Sequence, residues 1–524
     1  MFSLLPILLR HHALSLKLML RMRAVSLRFR SLIKTHFYMR SEVDFVEHQI
    51  PHQHINMFLD LLGPKCHLII SLTSPHRTHY EHIEQMINSI ADTSDVYVSI
   101  IDLQPHSNIP RKLKRLVLSR LSSKLINLTA AVNDLSSFHS PFPHVEDLTL
   151  ALHGLHDIRQ LSETLLLFPR VRSLCLSVCC GNQENVSAFL QQLYKYYRLR
   201  DLINFTLLPN GCLETYNTVH GLTQILEKTN LYDLTVMLSH SEILDVLYES
   251  RNHLGSVHSL KVADLTSQLL EILPHNICQL SGTLSDPKAF FSHISFFKNL
   301  QKLEVKMFDL VTNIEVLSAL NRLKFLEISV MSSFNNSKVL ALLHSLPHSL
   351  DVFKYSGELS EDVFRYLPLT LTECVLSNET DRELIFRHDF VEWLWRCLSL
   401  KSLELANIHI VLIRSFPLPQ FNLALQSLIV KHSIFPTRLL EAILASSKKL
   451  KQLHFFSTAV FVSTHTAQVI ASKNTIDSLY FDSYQDERNV VSELISSLIK
   501  RGYMRQLPLV TMNRRDGGLP VLAV

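Results

Sequence analysis

The sequence predicts an α/β solenoid, a stack of strand-plus-helix units in which each unit shares its core with its neighbours. Three observations lead there. A six-residue pattern (apolar, two others, leucine, one other, apolar) recurs along the chain. Its late central residues are Leu303, Leu326, Phe353, Cys374, Leu403, Leu428, Leu453 and Leu479, separated by 23, 27, 21, 29, 25, 25 and 26 residues. Within each copy the last two apolar positions are two apart, so on a strand they share one face. The stretches between copies carry helical patterning, as in EVLSALNRL (315–323) and SELISSLIK (492–500). Third, the 524 residues are 47% hydrophobic and 19% charged but include only 11 glycines. Such a chain can bury a large core, and it is poor in the glycine-rich turns that phosphate-cradling folds need. One strand and one helix cannot cover their own apolar faces; stacked neighbours can.

The elements follow in chain order. Residues 1–40 are read as a short helical element. Residues 41–110 are read as atypical opening repeats: CHLIISL (66–72) and DVYVSII (95–101) have strand patterning, with a polar, helix-compatible stretch between them. The array proper runs over 111–502. Its copies are LKRLVL (113–118), VEDLTL (145–150), VRSLCL (171–176), LYDLTV (231–236), VHSLKV (257–262), LQKLEV (300–305), LKFLEI (323–328), LDVFKY (350–355), LTECVL (371–376), LKSLEL (400–405), LQSLIV (425–430), LKQLHF (450–455) and IDSLYF (476–481). LRDLINF (199–205) and ICQLSG (277–282) are weaker copies, and 503–524 is a tail without a clear period.

A period of this length with L-x-x-L-x-L resembles the leucine-rich repeat. The resemblance implies a curved horseshoe, with one strand per repeat lining a concave face. In that family, Asn or Cys three residues beyond the last apolar position builds a ladder of side-chain hydrogen bonds. Here those positions are His153, Cys179, Ser239, Phe308, Met331, Ser433 and Thr458. Only Cys179 conforms, so irregular repeats are expected.

The N-terminus differs from the body. Residues 1–40 carry eight basic side chains (Arg10, Lys17, Arg21, Arg23, Arg28, Arg30, Lys34 and Arg40) and no acid, so the rest of a chain with net charge +4 sums to −4. A nearly neutral body does not advertise a nucleic-acid surface, and no nucleic-acid partner is expected. Leu18, Met22, Val25, Phe29 and Leu32 fall on one face of a helix, with Arg21, Arg23, Arg28 and Arg30 largely off it. A basic amphipathic helix there suits a mitochondrial transit peptide, a partner-docking helix, or a cap on the first repeat.

The order of residues resembles the F-box motif, which opens with Leu-Pro and continues as L-S-L-K-D-L-L-R-L-R-x-V-S-[RK]-x-[FW]-R-x-L. Leu-Pro stands at 5–6. Leu14, Ser15, Leu16, Lys17, Leu20, Arg21, Arg23, Val25, Ser26, Phe29, Arg30 and Leu32 match in order and spacing. Leu18 replaces the acid of the motif, and the lead-in from Pro6 is shorter than usual. The resemblance spans residues 5–33 only, but F-box proteins frequently carry leucine-rich repeats directly after the box. It implies a substrate receptor of a Skp–cullin–F-box ubiquitin ligase. Leu5, Pro6, Leu20, Val25, Phe29 and Leu32 would pack against the Skp-type adaptor, a helix-in-groove mode, and the repeats would hold an unknown protein substrate.

The concave face follows from strand alternation. Residues flanking the last two apolar positions point away from the core. They are Lys302, Glu304 and Lys306, then Phe325 and Glu327, then Glu404, Ile429, Lys431, His454, Phe456, Tyr480 and Asp482. The set mixes both charges and gathers aromatics late, and interface anchors are often aromatic. No arginine cluster marks it for phosphate.

Catalytic chemistry is not expected. There is no G-x-x-x-x-G-K-[ST], G-x-G-x-x-G or G-x-S-x-G, and no set of residues assembles a nucleophile, base and orienter. His76, His79 and His82 in HRTHYEH lack the partners of a zinc site, so no metal or cofactor is expected. Eight cysteines without a C-x-x-C pair suit a reducing compartment, with Cys175 to Cys180 read as core. No apolar run reaches the ~18–20 residues that span a bilayer. The expected location is the cytoplasm, the nucleus or both, or the mitochondrion if residues 1–40 are a transit peptide.

Overall fold

The computed structural model describes residues 40–43, 66–71, 80–92, 96–103, 111–153, 155–178, 193–194, 199–209, 216–238, 240–331, 336–379, 384–386, 388–412, 418, 423–458, 460–473, 475–476, 478–481 and 484–486. They fall into two compact units, Met1–Val257 with Lys261–Ala263, and His258–Leu260 with Asp264–Val524.

The first unit contains β1 (Arg40–Val43), β2 (Cys66–Ser71), β3 (Val96–Leu103), β4 (Leu125–Ala131), β5 (Asp147–Leu152), β6 (Ser173–Val178), β7 (Asn204–Pro209) and β8 (Asp233–Val236). Each strand is parallel to the next. Register stacks Leu128, Leu148, Leu174, Phe205 and Leu234 into one buried column. A second column is Ala130, Leu150, Leu176, Leu207 and Val236. The unit boundary runs through β9 (Ser259–Leu265).

The second unit contains β10 (Gln279–Leu284), β11 (Lys302–Met307), β12 (Phe325–Val330), β13 (Val352–Gly357), β14 (Glu373–Asn378), β15 (Leu384–Phe386), β16 (Ser402–Ala406), β17 (Ile408–Ile410), β18 (Ser427–Lys431), β19 (Gln452–Phe456), β20 (Val460–Val462), β21 (Ser478–Phe481) and β22 (Tyr484–Asp486). Leu280, Leu303, Leu326, Phe353, Cys374, Leu403, Leu428, Leu453 and Leu479 line up across its main sheet, β10–β11–β12–β13–β14–β16–β18–β19–β21, all parallel and all buried. This is the α/β leucine-rich-repeat solenoid: one parallel strand per repeat, its leucines inward, and a helical or 3-10 return segment.

One backbone device starts most of the main-sheet strands. The residue after the first apolar position accepts two successive N–H groups from the next repeat. Lys401 and Ser402 donate to Thr372 O, Gln426 and Ser427 to Lys401 O, and Lys451 and Gln452 to Gln426 O, at 2.7–3.1 Å. Glu146, Arg172 and Ile203 accept in the same way in the first unit. The leucine pattern therefore fixes register as well as burial.

Several sequence expectations are corrected. LKRLVL (113–118) is not a strand; it lies in the helix Arg111–Leu121, which buries Leu113, Val117, Leu118 and Leu121 at helical spacing. The strand of that repeat is LINLTAA, β4, where Ala130 takes the last apolar position. EVLSALNRL does not form an α-helix: Thr312–Ala319 is 3-10, a tighter return that suits the 23 residues from Leu303 to Leu326. SELISSLIK lies outside the described residues.

The missing Asn/Cys ladder is partly replaced by hydroxyls. Ser433 Oγ accepts from Ile408 N at 3.0 Å and donates to Lys431 O at 2.7 Å. Thr458 Oγ1 donates to Val430 O at 3.0 Å, and Asn407 Nδ2 donates to Asn378 O at 2.8 Å. At the corresponding turns Asn407, His432 and Ser457 are left-handed (φ 55°, 48° and 46°), and Asn407 and Ser457 lead into the short strands β17 and β20. Two parallel pairs result, β15 with β17 and β20 with β22, neither foreseen in the sequence. Phe308 and Met331 form no such ladder and are about three-quarters exposed.

Candidate functional site

The sheet face of the second unit is the candidate site. Its strands alternate buried and half-buried positions, so every second side chain lies on the open face. Register arranges these in rows. The middle row is Ser281, Glu304, Glu327, Lys354, Val375, Glu404, Ile429, His454 and Tyr480. Beside it run Lys306, Ser329, Ser356, Ser377, Ala406, Lys431 and Phe456. All the candidates Lys302, Glu304, Phe325, Glu404, Lys431, His454, Phe456 and Tyr480 lie on this face, in two groups. Asp482 falls outside the described residues.

The first group surrounds Phe325. Lys302 Nζ sits 4.8 Å from its ring centroid and Lys354 Nζ 5.4 Å, both within cation–π range. Lys302 is paired with Glu304 at 2.7 Å and Lys354 with Glu373 at 2.8 Å. Burial pulls the Lys354 ammonium down, but its bond to Glu373 and the nearby charges of Glu373, Glu327 and Glu404 outweigh it and leave the pKa raised. Lys354 and Glu373 were not singled out in the sequence. The signal was present: each occupies an open-face position of its own copy, LDVFKY and LTECVL.

The second group is aromatic. Phe456 and Tyr480 are 4.4 Å apart between centroids, tilted by 30°, and His454 meets them edge-on at 5.7 and 6.3 Å. Lys431 pairs with Glu404 and lies 6.0 Å from the Phe456 centroid. Burial lowers the His454 pKa, so its ring is neutral near pH 7. Both groups repeat one design: a lysine ammonium stands within about 6 Å of a phenylalanine ring and is paired with a glutamate. Around both groups the face thus offers apolar surface beside lysines already paired with glutamates.

The first unit's open face is different. Thr129, Thr149, Cys175, Thr206 and Thr235 form its middle row, small and uncharged. Cys175 lies on this face rather than in the core expected from sequence; burial raises its pKa against an opposing hydrogen bond from Thr149. Cys179 and Cys180 lie outside the described residues, as do His76 and His79, whereas His82 lies in the helix Tyr80–Asp92. The adaptor candidates Leu5, Pro6, Leu20, Val25, Phe29 and Leu32 also lie outside them. Among the described residues, no group of three or more His, Cys, Asp or Glu is placed to hold a metal, and no helix is long and apolar enough to cross a membrane.

No family model matches this chain, and no curated protein matches it. Among solved structures it is similar to an internalin from Listeria monocytogenes, at 14% identity over 70% of this chain and 85% of that one, with a TM-score of 0.28. It is also similar to a leucine-rich-repeat protein of Leptospira interrogans, at 15% identity over 73% of this chain and 96% of that one, with a TM-score of 0.29.

Proposed function

We propose that this chain is a non-catalytic protein-recognition scaffold that holds a partner against the open face of β11 to β21. The observation that carries this reading is the half-buried aromatic group His454, Phe456 and Tyr480 on a strand face. Aromatics at such positions are the usual anchors of protein interfaces. Covering them adds burial without stranding a charge, because the neighbouring lysines and glutamates are paired already.

The more specific reading is the substrate-recognition subunit of a Skp–cullin–F-box ligase. It rests on the match of residues 14–33 to the F-box motif and on the order of box then repeats. Ubiquitin transfer would belong to the partners. The arginine-rich, acid-free composition of residues 1–40 favours one rival, a mitochondrial transit peptide in front of a scaffold. Co-purification with the Skp-type adaptor separates them. Wild type is expected to bring the adaptor down, and Val25→Asp with Phe29→Asp to lose it. Failure of wild type to bind adaptor, together with a mature N-terminus beyond residue 30, supports the transit peptide instead.

A further inference from the structure

We infer that the rim at the start of β16, β18 and β19 captures an acidic segment of a protein partner and feeds it onto the aromatic row beside it. The inference deepens the reading of this strand face as the docking surface, and rests on it. The charge distribution is the first support. Residues 405–476 contain seven lysines and arginines (Arg414, Lys431, Arg438, Lys448, Lys449, Lys451 and Lys473) and a single acid, in a chain whose net charge is only +4. That acid, Glu441, accepts from Ser463 at 2.8 Å and Thr466 at 2.6 Å, so it caps the next helix.

The fold then gathers the lysines on one rim. Lys401, Gln426 and Lys451 are consecutive rungs of the strand-starting ladder, each N–H bonded to the previous carbonyl at 2.7 Å. Lys401 and Lys451 are therefore two strand spacings, about 10 Å, apart. Lys448 and Lys449 lie in the turn just before, and Lys473 reaches that turn through a bond to Ser447 O at 3.3 Å. Lys401, Lys448, Lys449 and Lys451 are exposed, and no carboxylate pairs with them among the described residues. This contrasts with Lys302, Lys354 and Lys431 on the face itself, all neutralised by glutamates.

The chemistry favours carboxylates on a peptide. The rim is made of lysines, point charges without the planar fork that arginine offers phosphate. The strands that carry it continue directly into His454 and Phe456, beside Tyr480. An acidic peptide with an aromatic or aliphatic side chain would satisfy both: carboxylates on the rim, the apolar group on the rings.

The test uses the full-length protein and a fluorescein-labelled oligoglutamate peptide with one central phenylalanine, read by anisotropy. Wild type is expected to bind it, more weakly as ionic strength rises. Lys448→Glu, Lys449→Glu and Lys451→Glu combined should weaken binding by about tenfold or more. The corresponding triple Lys→Arg variant should retain binding, and Lys298→Glu with Arg322→Glu, in the turns before β11 and β12, should leave it unchanged. Equal binding by wild type and the triple Glu variant, with unchanged thermal unfolding, overturns the inference. So does rim-dependent binding of single-stranded DNA or phosphatidylserine vesicles tighter than that of the peptide. The triple variant should still co-purify with whatever adaptor the wild type binds. Loss of peptide binding alone leaves the ligase reading standing, and absence of adaptor alone leaves the rim standing.

Discussion

Phe325 and Phe456 sit on a solvent-facing sheet yet are half-buried, Phe325 beside the ammonium groups of Lys302 and Lys354 and Phe456 against Tyr480 and His454. At this scale each open-face side chain is set by its neighbours on adjacent strands, and titration reports on that packing. His454 is held below its ordinary 6.5 by burial. The unfolded chain therefore takes up the proton more readily than the folded one. The stability tied to the neutral ring is fully present above about 6.5 and is lost as pH falls through the folded value. The midpoint of thermal unfolding should drop more steeply between pH 7 and pH 5 in wild type than in His454→Gln; parallel curves would count against this packing. The thiols give a simpler check. Burial raises the pKa of Cys374 and pushes that of Cys397 up to about 12, so neither carries a thiolate at neutral pH. Mass spectrometry after iodoacetamide treatment of the folded protein at pH 7.5 should find both unmodified.

The elements show where a six-residue pattern misleads. L-x-x-L-x-L puts apolar residues at i, i+3 and i+5; the last two share a strand face, and the first two share a helix face. LKRLVL lies in a helix because its buried positions, Leu113, Lys114, Val117 and Leu118, follow helical spacing, and Leu121 continues it beyond the motif. Lys114 pairs with Asp134 at 3.1 Å, both largely shielded from water. Asp134→Ala should cost about 3 kcal/mol by leaving the ammonium unpaired. Adding Lys114→Met should recover much of that loss, as read by urea unfolding of the two variants. The left-handed turns were equally hidden, because Asn, His and Ser share no motif. Asn407→Val should destabilise by about 1–3 kcal/mol, since a β-branched residue fits φ 55° poorly. His432→Gly should be tolerated, and equal losses from both would argue against backbone strain as the cause.

At the scale of the molecule, the spacing of leucines from 303 to 479 predicted the repeat, and the register confirms it strand by strand. Alternation alone likewise places Phe456 and Tyr480 on the open face. What could not be read was pairing across strands. That Lys354 is held by Glu373, or that Glu404 reaches Lys431 over Ile429, depends on which repeats become neighbours and in what register. Nor could the span of the rim be read, because Lys401 and Lys451 lie 50 residues apart in the chain and come within about 10 Å only through the hydrogen-bonded rungs between them.

The central claim, that this strand face holds a protein partner, is met most directly by comparing the proteins that co-purify with wild type, with Phe456→Ala plus Tyr480→Ala, and with Val25→Asp plus Phe29→Asp. Both substitutions on the face remove half-exposed rings rather than core, so folding should survive. The expected result is that the face variant loses a defined set of partners while its thermal unfolding and its adaptor stay as in wild type, and the N-terminal variant shows the reverse. An unchanged partner set in the face variant would contradict the assignment of the site.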